Sequence, residues 1–80
     1  MSREESRYLA SAGEEAKKYL RELKEYKTKE EKKAFRLAYK IRIRDMKRKA
    51  AKLEGREREL TEKAIHRLVF KTVLINVFNR

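Results

Sequence analysis

Lysine and arginine are the residues on which any chemistry of this sequence rests. Lys40, Arg42, Arg44, Lys47, Arg48, Lys49 and Lys52 crowd into one stretch offset only by Asp45. Residues 28–54 hold 11 basic and 4 acidic groups, against 7 and 6 in residues 1–27 and 6 and 3 in residues 55–80. Ammonium and guanidinium groups at this density bind anions: phosphates, with release of counterions, or the carboxylates of another protein. A basic helix could lie along a major groove. A helix that reads bases, however, mixes Asn, Gln, Ser and Thr among its cations, and this stretch has none after Thr28. The plainest alternative is a solvated face, because the cations fan over most of the helix surface not taken by Phe35, Met46 and Leu53. Three readings therefore stay open: a solvated face, a surface for an acidic protein, and a nucleic-acid surface.

No other constellation points to chemistry. His66 is the only histidine, and there is no cysteine. Metal ligation needs three or four suitable donors, which do not cluster here. The carboxylates fall within a turn or two of a cation, as in Glu14 with Lys18 and Glu25 with Lys29, the spacing of a solvated helix face rather than of an acid/base pair. A Gly-rich phosphate loop is absent. The expectation is a protein without catalysis, cofactor or metal.

The elements that position these groups follow from composition and periodicity. The chain has 80 residues and a net charge of +11, is 46% charged and 40% apolar, and contains no Cys, Pro or Trp. This allows one small domain, excludes a disulfide scaffold and disfavours folds built on tight turns. So charged a composition would also suit a disordered chain, but seven aromatics and a regular apolar pattern oppose that. No apolar run is long enough to span a membrane. Met1-Ser2-Arg3-Glu4-Glu5 lacks the apolar stretch of a signal peptide. The expectation is a soluble chain compatible with the cytoplasm, although the compartment itself is not indicated.

Ser2-Arg3-Glu4-Glu5 and Thr28-Lys29-Glu30-Glu31 are capping boxes. The first opens a helix over about residues 3–26 whose stripe is Leu9, Ala12, Ala16, Tyr19, Leu23 and Tyr26, with Leu20 alongside. Gly13 lies inside this stripe without breaking its register; a break at Ser11-Ala12-Gly13-Glu14 is the competing reading. The second box opens a helix over about 29–54, with Gly55 in the left-handed position just past its end. Its main stripe is Phe35, Tyr39, Met46, Ala50 and Leu53, with Ile43 on the margin. A second stripe of Ala34, Leu37, Ala38 and Ile41 is expected beside the third helix, over about 57–78. The short links make the first two helices antiparallel neighbours and give an all-α, up-down-up three-helix bundle occupying residues 1–80 as a single domain.

Residues 68–78 are apolar nearly all round and β-branched enough to suit a strand, but a lone strand would have no partner. Leu60, Ala64, Ile65, Leu68, Thr72 and Ile75 share one helical face; Val69, Phe70, Val73, Leu74 and Val77 lie on the other side. A wide apolar arc is expected of a helix touching two others. The alternative is a partner surface formed by Val69, Phe70, Val73, Leu74 and Val77, with Asn76 and the cations Arg42, Arg44, Lys47, Arg48, Arg67 and Lys71 as its polar rim. The partner expected is a protein with an acidic surface. Nucleic acid bound by the middle helix, self-association through the strip, and a purely structural bundle are the alternatives.

The repeated caps and the Glu14-Glu15-Ala16-Lys17-Lys18 surface pattern resemble those of computationally designed helical bundles and mini-binders over residues 2–64. The resemblance implies no enzymatic activity and often a helix face presented to a partner. The sequence departs from that class in its net charge of +11 and in the segment His66–Asn79, which are the places to look for a selected interface.

Overall fold

The structure, a computed structural model, describes residues 2–79. It contains three helices: α1 (Arg3–Glu25), α2 (Lys29–Ala50) and α3 (Gly55–Phe78). Ser2 and Thr28 cap their helices as expected. The Glu5 N–H donates to Ser2 Oγ at 3.1 Å and the Glu31 N–H to Thr28 Oγ1 at 3.1 Å, each filling one of the donors a helix start leaves open. α1 runs through Gly13 without a break, and residues 68–78 are helical.

The α2–α3 link differs from expectation. α2 stops at Ala50, short of Glu54, because the chain tightens there: the Lys52 N–H bonds Lys49 O and the Leu53 N–H bonds Ala50 O. Gly55 does take a left-handed φ of 59°, but at the entrance to α3 rather than at the exit of α2.

The cross-links establish an up-down-up bundle. Arg56 reaches Glu4, Lys63 reaches Glu5, and Tyr19 reaches Asn76, so α1 and α3 run parallel. Arg42 reaches Glu15, and Tyr26 packs on Phe35, so α1 and α2 run antiparallel. The closest backbone neighbours are α1 and α3, with α2 also against α3; the short α1–α2 link does not make those two the tightest pair. Side-chain size explains this. α1 meets α3 through Ala12 and Ala16, with Ala64 opposite, and small residues let helix axes approach. α1 and α2 meet through Tyr19, Phe35 and Tyr39, whose ring centroids lie 4.6–6.0 Å apart and hold the two helices off.

The core is thin. Leu23 and Leu60 are the two large side chains completely enclosed, supported by Tyr19, Tyr39, Ile43, Ile65 and Leu68. Its polar groups are satisfied: the Tyr19 hydroxyl donates to Asn76 Oδ1 at 2.6 Å, the Tyr39 hydroxyl to Glu15 Oε1 at 3.3 Å, and the Thr72 hydroxyl to Val69 O at 2.9 Å. The second stripe of α2 is not in this core. Ala34, Leu37, Ala38 and Ile41 are all exposed, Ile41 at 67%. α3 packs on the side of α2 that carries Tyr39 and Ile43, and a stripe well over a quarter-turn away cannot reach it.

Two predictions follow from this packing. A Cβ built on Gly13 would meet only the Lys71 Nζ, at 3.8 Å, an ordinary contact with a flexible side chain. Gly13→Ala should therefore raise unfolding stability by about 0.5–1 kcal/mol, read from the urea midpoint at unchanged m-value. Burial, then the Glu15 carboxylate, holds the Tyr39 phenol well above its ordinary range, and burial raises the Tyr19 phenol against the lowering pull of Asn76 and Arg36. A raised pKa in the folded state is a stabilisation present below the unfolded phenol value and lost as pH climbs through the folded one. Stability should thus decline above about pH 10, and Tyr39→Phe should shrink that decline.

Candidate binding surface

At roughly 100° per residue, the buried positions of α3 (Leu60, Ile65, Leu68 and Thr72) centre on one direction, and Phe70, Val73, Leu74 and Val77 centre about 180° away. These four residues are spaced i, i+3, i+4, i+7, the pattern of a helix-packing seam. They form a continuous ridge on the outer face of α3, with exposures of 62% (Phe70), 53% (Val73), 40% (Leu74) and 51% (Val77). Val69 is the member of the expected patch that leans inward; it is half-buried against the core. The wide apolar arc of α3 is thus wider than its two neighbours can cover.

Two depressions flank the ridge. On the α1 side a hollow of about 690 Å³ is lined by Leu9, His66, Phe70 and Leu74, with Arg67 and Lys71 at its edge. Its charge is mixed, because Glu5 enters it and pairs with Lys63 at 3.3 Å. The Lys71 ammonium folds back over Gly13. On the α2 side a cleft of about 340 Å³ has Ile43, Val69 and Val73 as its apolar lining and Arg36, Lys40, Arg44 and Lys47 as its cations. It is the smaller of the two, but its electrostatics are one-sided: no carboxylate lines it among the described residues.

The expected rim is therefore divided. Arg44 and Lys47 join Val69 and Val73 in the cleft, and Arg67 and Lys71 join Phe70 and Leu74 in the hollow. Arg42 belongs to neither. Its Nη2 bonds Glu15 Oε1 at 3.1 Å, and its guanidinium lies over the Tyr39 ring at 5.7 Å, so it tethers α2 to α1. Arg48 is exposed and lines neither depression. Asn76 is an internal acceptor as well as a rim residue, taking bonds from Tyr19 and from Arg36 Nε at 3.3 Å.

Arg36 and Lys40 were outside the expected rim, and so was Phe78, which is 81% exposed. The spacing of Arg36, Lys40 and Arg44 at successive steps of four places them on one face of a helix. What the spacing lacks is which face borders α3. No group of three or more His, Asp or Glu among the described residues could hold a metal ion, and no described helix is long and apolar enough to cross a membrane.

The fold and surface define a small all-α bundle with an uncovered apolar ridge beside a cationic cleft. No protein-family model matches the chain, and no curated protein or solved structure does.

If the ridge lies outside the core, its truncation leaves the fold alone. Phe70→Ala and Val73→Ala should each change unfolding stability by less than about 1 kcal/mol, whereas Leu68→Ala, at a site 3% exposed, should cost about 2–5 kcal/mol in the same denaturation series.

Proposed function

We propose that this chain is a non-enzymatic helical binding protein, of the designed class it resembles, which docks the ridge of α3 and its basic borders onto an acidic protein partner. The observation that carries this reading is the coincidence of four exposed apolar side chains in seam spacing with a net charge of +11. An apolar ridge of this kind is a liability on a free monomer and an anchor in a complex. Cations at its borders steer an acidic partner and raise the association rate, while apolar burial slows dissociation. Val73 and Val77 with Phe70 and Leu74 are the anchors; Arg44 and Lys47 on one side, and Arg67 and Lys71 on the other, meet carboxylates.

Self-association through the ridge brings the same cations of two copies together, and their repulsion opposes it. Nucleic acid would use the cations but leave the ridge uncovered, and α2 offers no base-reading amide beside them.

The test uses a chain in which Phe70→Gln, Val73→Gln, Leu74→Gln and Val77→Gln are combined, all at exposed positions. The unaltered protein should bind an acidic, leucine-bearing helical peptide and lose at least about tenfold in affinity with these four substitutions at undiminished helicity. Binding confined to duplex DNA, steep in salt and unchanged by the four substitutions, would overturn the reading. So would a dimer that the substitutions dissociate and the peptide leaves intact.

A further inference from the structure

The cleft between α2 and α3 has two unlike walls. Along α2 stand Arg36, Lys40, Arg44 and Lys47, at steps of four, four and three residues. At the helical rise this row is about 17 Å long. None of the four makes an ion pair with another described residue, whereas Arg42, Lys49, Arg56, Arg58 and Lys63 all do. The α3 wall carries Val69 and Val73 with Thr72 and Asn76 beside them, and Val77 continues the valine row along the ridge. Arg36 is the most constrained cation. Its Nε donates to Asn76 Oδ1, and the buried Tyr19 hydroxyl holds that same oxygen from the other side. One edge of the guanidinium is thus fixed, and its terminal amino groups are left for a forked bond to a carboxylate.

Resting on the reading above, we infer that this cleft seats one amphipathic acidic helix, laid along α2 and α3 as a fourth member of the bundle. A row of its carboxylates faces Arg36, Lys40, Arg44 and Lys47, and the adjoining apolar stripe lies on Val69, Val73 and Val77. The two walls together select the occupant. A cationic row without carboxylates calls for an anionic partner, which a second copy at +11 is not. A valine wall calls for apolar side chains, which a phosphate backbone does not supply. A helix that carries an acidic stripe beside an apolar one satisfies both at once, at the same residue spacing as α2 itself.

The experiment titrates the full chain with a synthetic peptide of about five helical turns that carries Glu at steps of four, four and three beside a Leu/Ile stripe. A peptide of identical composition with its glutamates scattered round the helix is the control. Lys40→Glu with Arg44→Glu removes charge from the cleft; Arg48→Glu with Lys52→Glu removes the same charge outside it. All four positions are exposed, and circular dichroism checks that both variants stay helical.

The expected result is that the cleft pair weakens the patterned peptide at least about tenfold and the outside pair less than about threefold, with the patterned peptide preferred over the scattered one. Equal losses in the two variants, or no preference for the patterned peptide, overturns the seat in the cleft. In that case the wider reading of an acidic protein partner still stands if substitution of the ridge with glutamine abolishes binding. Failure of either peptide to bind, with duplex DNA bound and weakened by the cleft pair, overturns both.

Discussion

A helix packed against two neighbours can bury only about half of its circumference. In α3 that half is filled by Leu60, Ile65, Leu68 and Thr72, with Ala64, Val69 and Ile75 beside them. The C-terminal half of α3 is apolar nearly all the way round, so the remainder, Phe70, Val73, Leu74 and Val77, is forced outward. α2 repeats the pattern on a smaller scale, burying Tyr39, Ile43 and Ala50 and leaving Leu37 and Ile41 in solvent. The surface chemistry of the molecule is what this limit leaves over.

The spacing of the helices decides where that surface is indented. Alanines at 12, 16 and 64 bring α1 and α3 close, and the rings of Tyr19, Phe35 and Tyr39 hold α2 away from α1. α2 then meets α3 along Ile43 and the Arg36–Asn76 contact, with a cleft between them. The Tyr19–Asn76–Arg36 chain of hydrogen bonds links all three helices at the end where the apolar surplus lies. Core and cleft therefore share side chains, and the position of Arg36 depends on a tyrosine that belongs to the interior.

Electrostatics follow the same geometry. Three of the six acidic groups of α1 are drawn into contacts between helices, Glu4 with Arg56, Glu5 with Lys63 and Glu15 with Arg42. Such exposed pairs contribute little stability each, but they occupy the carboxylates. Asp45 is taken by Lys49 on the same helix. The α2 cations that border α3, Arg36, Lys40, Arg44 and Lys47, form no ion pair with the described residues, which leaves that side of the bundle strongly positive.

Much of this was legible in the linear pattern. The caps at Ser2 and Thr28, the stripe from Leu9 to Leu23, the continuity of α1 through Gly13 and the helical state of residues 68–78 all follow from local rules, because caps and 3.6-residue periodicity involve neighbours within one or two turns. So does the excess of apolar surface at the end of α3, which is a property of composition. The sequence left open which arc of each helix would be covered, since that depends on how closely three axes approach and on the angle at which they meet. Tertiary packing alone sent Arg42 to Glu15, turned the face that carries Arg36, Lys40, Arg44 and Lys47 toward α3, and left Leu37 and Ile41 in water. Those outcomes rest on contacts between residues 24–57 positions apart, such as Tyr39 with Glu15 and Tyr19 with Asn76, which no local spacing encodes.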